Sequence, residues 1–177
     1  GAKAGWTRGA PWALEAVAPP GFDYSVCEDV TQPLPAWSGL GLVRPGGEPW
    51  PDPAPEASLI APTGAGGPLF LLAPNHFVIR RYNNAVTYAV AVGLLADRIA
   101  GRPGPVQPWP EETPLSLGDR TAVQSALKGL GYDVGDVDGV IGLKSRRSLR
   151  TWQKSQGLVA DGYLSPDMVA RLKATAS

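Results

Sequence analysis

The chain has 177 residues, enough for one medium domain or two small ones, and its 22 Gly and 19 Pro bring it close to the composition at which disorder is the default. A 44% hydrophobic share and six Trp tip the balance to folded structure, because such a chain has apolar surface to bury. Sixteen basic and sixteen acidic residues cancel, so no net field draws nucleic acid or an anionic membrane, while a single Cys (Cys27) and a single His (His76) exclude an internal disulfide and an ordinary zinc site. No apolar run reaches the 18 residues of a membrane-crossing helix.

Residues 12–78 read as short strands and turns. Trp12-Ala13-Leu14-Glu15-Ala16-Val17 and Ala57-Ser58-Leu59-Ile60-Ala61 are strand-length and end at Pro. The Gly-rich run Gly64-Ala65-Gly66-Gly67 then leads into Leu69-Phe70-Leu71-Leu72, the pattern of an antiparallel hairpin. From residue 83 to 100 the period changes to that of an Ala-rich apolar helix, capped by Asn83 or Asn84 and stopped by Gly101. Tyr88, Val92 and Leu95 share one face and Ala85 and Ala89 a neighbouring one, so this helix is expected to be mostly buried.

Proline marks the partition. Eighteen of the nineteen Pro lie at or before position 114, and five fall within residues 101–114. Repeated Pro fixes φ and forbids helix, so 102–114 reads as a semi-stiff linker between a domain at 1–101 and one at 115–177. Beyond it the signals are helical. Val123, Ala126, Leu127 and Leu130 form a stripe opened by Asp119 and closed by Gly131; a second helix spans about 144–156 with Leu149 and Trp152 on one face; Ser165-Pro166-Asp167 opens a third, which turns Met168, Val169 and Leu172 inward. Asp138-Gly139 and Asp161-Gly162 each sit just ahead of a helix start, an internal echo that predicts two physically equivalent turns.

Residues 117–173 resemble the peptidoglycan-binding module of bacterial wall enzymes through Val123-Gln124-x-x-Leu127, Leu130-Gly131-Tyr132, Val137-Asp138-Gly139-x-Ile141-Gly142, Trp152-Gln153 and Gly157-Leu158 before Asp161-Gly162. The first hundred residues resemble the C-terminal half of the catalytic domain of the membrane-bound lytic transglycosylase B type, glycoside hydrolase family 103. Arg81-Tyr82-Asn83-Asn84-Ala85-x-x-Tyr88-Ala89-x-Ala91-Val92 carries that likeness, supported by Gly5-Trp6-x-x-Gly9-x-Pro11-Trp12 and Pro20-Gly21-Phe22. Together the two imply an α+β fold, with antiparallel hairpins and a buried helix as part of a lysozyme-like catalytic domain, followed by a small three-helix bundle.

The resemblance also implies roles. Tyr82, Asn83 and Tyr88 would line a saccharide groove with Arg81 beside it, and Asp138, Gly139, Arg147, Trp152, Asp161 and Gly162 would carry the module's contact with murein. Plainer readings stand beside these. Tyr82, Asn83 and Tyr88 also fit a helix cap with two partly buried rings, and Arg80 and Arg81 fit a surface position and an ion pair as well as a carboxylate clamp. Lys144, Arg146, Arg147, Arg150 and Lys154 fit a solvated face balanced by Asp133, Asp136 and Asp138 as well as a murein-binding one. Val134-x-Asp136-x-Asp138-Gly139 brushes the calcium-loop pattern, but Val134 and Ser145 occupy positions that need oxygen ligands and a Glu, so calcium is rejected.

One departure from the family outweighs the rest. Its acid/base is a Glu, usually followed by Ser, and no Glu-Ser pair occurs here. Glu15 reads as a strand residue, Glu28, Glu48 and Glu56 as turn residues, and Glu111 and Glu112 as linker; none is in the apolar helical pocket that would make it an acid at neutral pH. The chain opens at Gly1-Ala2-Lys3 without a signal peptide or lipobox, which reads as the C-terminal portion of a longer enzyme. The expectation is therefore a periplasmic or cell-envelope lytic transglycosylase that cleaves the N-acetylmuramic acid–β-1,4–N-acetylglucosamine bond with 1,6-anhydro ring formation. Its catalytic Glu would lie upstream, with lipid anchoring through that missing part as one arrangement. No metal or other cofactor is called for, and the expected partners are glycan strands and the rest of the catalytic domain. The alternative is a non-catalytic wall-binding protein; an amidase would need metal ligands that this composition lacks.

Overall fold

The computed structural model describes residues 11–73, 93–94 and 97–175. Its first part is built on a four-stranded antiparallel sheet of strand order β1-β4-β3-β2, formed by β1 (Ala13–Ala16), β2 (Thr31–Pro33), β3 (Glu56–Ile60) and β4 (Leu69–Leu72). The expected hairpin is β3–β4, with Ile60 opposite Phe70 and Ser58 opposite Leu72. Its connection turns twice, Gly64 N–H donating to the Ala61 carbonyl at 3.1 Å and Gly67 N–H to Gly64 at 3.3 Å. Strand β1 adds to the far side of β4, pairing Ala13 with Leu72 and Ala16 with Leu69.

Every residue of β4, and all of β3 after Glu56, is buried. A strand covered on both faces has no reason to alternate, which is why Leu69-Phe70-Leu71-Leu72 is continuously apolar. Apart from Glu56 and Ser58 on β3, the polar residues fall on the outer strands: Glu15 on β1, Thr31 and Gln32 on β2, with Pro33 at the end of β2.

Two readings of this region are corrected. Glu56 opens β3 opposite Pro33 and is not a turn residue. Residues 34–39 are not strand or turn but a helix, α1 (Leu34–Gly39), with Pro at its first positions. Its Leu34 and Trp37 point into the core, both at 0% exposure, and Trp37 Nε1–H donates to the Ala57 carbonyl at 2.9 Å. The indole thereby satisfies its donor while burying its ring, and it locks the helix across the sheet edge. Cys27 is also fully buried.

Of the expected helix at 83–100, residues 93, 94 and 97–99 are described and helical. Gly101 follows with φ +74°, its N–H bonding the Arg98 carbonyl and that of Arg102 the Asp97 carbonyl, so the predicted glycine stop is present. The last turn departs from the expected burial, since Ile99 is 80% exposed. Asp97 accepts from Trp12 Nε1 at 2.7 Å, and a Cβ on Gly93 would come within 2.6 Å of the Trp12 ring. Gly93 is thus the residue that lets this helix approach Trp12, whose ring packs with Ile60, Phe70 and Leu72.

The proline-rich stretch is held to the sheet at its start. Both carboxylate oxygens of Glu15 accept backbone N–H groups, from Val106 at 2.7 Å and Gln107 at 2.8 Å, and the Trp109 ring lies 6.4 Å from that of Phe70. Contacts divide the described chain into two units, with the break falling between Trp109 and Pro110; Asp23–Ser25 group with the second.

The second unit is the predicted three-helix bundle: α2 (Leu117–Gly129), α3 (Leu143–Ser155) and α4 (Pro166–Thr175). Helix α2 begins two residues before the predicted Asp119. Ser116 is its cap, accepting from Asp119 N–H at 3.0 Å and donating to the Asp119 carboxylate at 2.9 Å. This is a capping box with Asp in place of Glu. Ser165 caps α4 as expected, through Met168 N–H at 3.2 Å. Leu127, Leu149 and Leu172 are essentially inaccessible and meet Val123, Trp152, Leu164 and Val169 in one core. Burying each such Leu contributes about 1.5–3 kcal/mol, the main stabilising term available to so small a unit.

Candidate functional site

Arg81, Tyr82, Asn83 and Tyr88, with Arg80 and His76, lie outside the described residues. The module's six candidates are all described, and two buried glutamines bond three of them, Gly139, Asp161 and Gly162. Gln124 on α2 is 0% exposed; its Oε1 accepts from Gly139 N–H at 2.8 Å and its Nε2 donates to the Val140 carbonyl at 3.0 Å and to Ser145 Oγ at 3.1 Å. Gln153 on α3 does the same at the other turn: Oε1 accepts from Gly162 N–H at 2.9 Å and Nε2 donates to Asp161 Oδ1 at 3.1 Å.

The acids complete the pair. Asp138 Oδ1 accepts from Val140 N–H at 2.8 Å and Asp161 Oδ1 from Tyr163 N–H at 3.1 Å. These side chains mimic a turn of backbone. Both glycines adopt positive φ, +79° and +67°, which strains any residue with a Cβ, and a Cβ would meet the Leu117 side chain in one case and that of Arg150 in the other. The predicted echo is thus a repeated device: an Asp-Gly turn clamped by a helical Gln, with the next helix starting at Leu143 or Pro166, in each case the fourth residue after the glycine.

The remaining candidates separate. Trp152 is 4% exposed within the bundle core, so its ring faces Leu and Val and has no free face for a sugar. Arg147 is exposed on α3. The basic residues of that helix do not form one open cationic face. Arg150 is buried under the second turn, Arg146 Nη1 donates to the Ile141 carbonyl at 2.8 Å, and Lys144 lies 3.5 Å from Asp133. Asp133 titrates below its ordinary value, first because Gly135 N–H bonds it and then because of the Lys144 charge. Beside the second turn, Tyr163 donates to Glu112 at 3.0 Å, and burial followed by that contact pushes the phenol up to about 12.

All six Glu are described, and none is buried. Glu15 is committed to two backbone amides, Glu48 to Arg44 at 2.9 Å and Glu112 to Tyr163, while Glu56 and Glu111 are exposed. Glu28 is half-buried with its N–H on the Leu59 carbonyl at 2.9 Å. None has the water-excluded setting that a general acid needs.

Comparison with protein families settles the affiliation. Residues 2–97 match the transglycosylase SLT domain. The chain belongs to that family. Residues 116–172 match a peptidoglycan binding domain, so the resemblance in both halves is borne out. SltB3 from Pseudomonas aeruginosa, solved in complex with NAG-anhNAM-pentapeptide, is 42% identical over 97% of this chain with a TM-score of 0.89. The same protein solved with NAG-NAM-pentapeptide gives 42% identity over 96% and a TM-score of 0.88. This transglycosylase SLT chain spans about half of that protein, 47% and 46% respectively. The N-acetylmuramoyl-L-alanine amidase CwlM of Mycobacterium tuberculosis is 37% identical over 59 residues, 33% of this chain and 14% of the amidase. Among the described residues no helix is long and apolar enough to cross a membrane.

Proposed function

We propose that this chain supplies one wall of the saccharide groove and the wall-binding module of a lytic transglycosylase that acts on peptidoglycan. The observation that carries this is the match of its first half to the transglycosylase SLT domain, joined to a second half that matches a peptidoglycan binding domain. The complexes of the similar protein, with an anhydro sugar in one and its open form in the other, support the reaction type.

In that reaction one Glu protonates the leaving glycosidic oxygen. The muramyl 6-hydroxyl then attacks the anomeric carbon and closes the 1,6-anhydro ring, so no water is added and no second carboxylate nucleophile is needed. Tyr82, Asn83 and Tyr88 would present ring faces and an amide to the sugars, with Arg81 on a carboxylate of the lactyl or peptide part. The acid would come from the portion of the enzyme this chain does not span, in keeping with the exposed or committed state of its own Glu residues. The work would take place in the cell envelope, on the periplasmic side where murein lies.

On this reading the chain binds murein but does not cut it. Incubation with purified murein, followed by chromatography of the soluble fraction, should release no anhydromuropeptide while the protein sediments with the insoluble wall. Clear product from this chain would place the acid within it and overturn the assignment.

A further inference from the structure

Beside the first Asp-Gly turn the module surface forms a pocket of about 290 Å³, lined by Val134, Val140 and Leu143, by Asp136 and Asp138, and by Lys144. Small-molecule sites usually run from about 300 to 1,000 Å³, so this one suits a group the size of an amino-acid side chain and not a disaccharide. Its charge is mixed. Asp136 makes no ion pair among the described residues, and Asp138 holds Val140 N–H with Oδ1 only. Lys144 meets Asp133 at 3.5 Å with both groups well exposed, a contact weak enough to yield to a ligand.

The second turn is an internal control. Shifting the sequence by 23 positions, from Gly139 to Gly162, aligns the two clamped turns and carries Asp136 to Val159 and Lys144 to Asp167. The same backbone device therefore forms without the added acid or the lysine. These two groups are not demanded by the turn, and they gather on the copy that carries the pocket.

We propose that this pocket seats the zwitterionic side-chain end of a diamino acid in a murein stem peptide. The ammonium would lie on Asp136 and Asp138, the carboxylate on Lys144, and the methylenes against Val134, Val140 and Leu143. This rests on the reading of the module as a peptidoglycan binder and deepens it.

The test uses the full chain and two soluble muropeptides alike except at the third residue, diaminopimelate in one and lysine in the other. Calorimetric titration should give about fivefold weaker binding for the lysine probe, the value of one partly screened ion pair. Asp136→Asn should weaken both probes to a similar degree, and Lys144→Met should weaken only the diaminopimelate probe, each with an unchanged melting temperature. If the wild type sediments with insoluble murein but neither variant alters probe binding, the pocket assignment falls while the peptidoglycan reading stands. If the wild type does not bind murein, both fall. Calcium binding that Asp136→Asn abolishes, with probe affinity untouched, would make this a cation site and overturn the proposal.

Discussion

A primary amide offers an acceptor and two donors in one plane, and an Asp-Gly turn seated against a helix needs both kinds of partner. Gln124 and Gln153 meet that need from inside the core, where an unmet backbone N–H costs about 1–3 kcal/mol. Gln124→Ala should therefore destabilise the module by about that amount, a fall of roughly 4–8 °C in its melting temperature per kcal/mol for a unit of this size. Calorimetry of the full chain reads it, and a change under a degree would mean that the turn is held by something else. These two residues belong to the quoted motifs, yet the sequence assigned them no role. The available signal was a polar side chain inside an apolar stripe, Gln124 beside Val123 and Gln153 beside Trp152. Helical spacing places a residue on a face but does not name what it meets, and the partner glycine stands 15 positions away in one case and 9 in the other. Trp152 teaches the complementary lesson: an aromatic in a binding motif can be there for the core.

Among the elements, the long periodic ones were legible and the short ones were not. Three amphipathic helices and the β3–β4 hairpin were readable because several residues repeat one signal. Helix α1 has six residues, two of them the core anchors Leu34 and Trp37, and its Pro at the start reads equally as a turn. The true start of α2 was hidden because Ser116 and Asp119 both suit a cap, and only the reciprocal bonding decides between them. That cap has a pH signature. The Lys173 ammonium first, and the Ser116 hydroxyl next, hold the Asp119 carboxyl below its ordinary 3.8. A depressed carboxylate stabilises the fold fully above its unfolded value of about 3.9 and loses that contribution as pH falls through its lower folded one. Asp119→Asn should thus flatten the acid limb of the module's stability below about pH 4, read as melting temperature against pH; an unaltered limb would assign the loss to other depressed carboxylates such as Asp133. The linker carries a second prediction at this scale. Glu15→Ala removes the acceptor of Val106 and Gln107 N–H, so both amides should exchange with solvent at least about tenfold faster by hydrogen-exchange mass spectrometry. Unchanged protection would mean that Trp109 packing alone holds the segment.

For the whole molecule, composition reads as two parts through the contrast of proline against helix. Where the linker is tied down was not legible, because neither Glu15 nor Trp109 signals its partner in sequence. The order β1-β4-β3-β2 places the two most apolar strands, Ala57-Ser58-Leu59-Ile60 and Leu69-Phe70-Leu71-Leu72, at the centre of the sheet. The short polar strands outside them, one ended by Pro33 and the other capped along Glu15 by residues 106 and 107, act as covers. Such covers work only while folded. Once heat strips them, uncharged and mostly apolar segments are open to pairing between chains, and unfolding of that unit becomes irreversible. The helical module holds no such segment. Heating and cooling should therefore return its calorimetric transition on a second scan while that of the sheet unit is lost to aggregate, the shelf life of the protein being set by the opening rate of its outer strands.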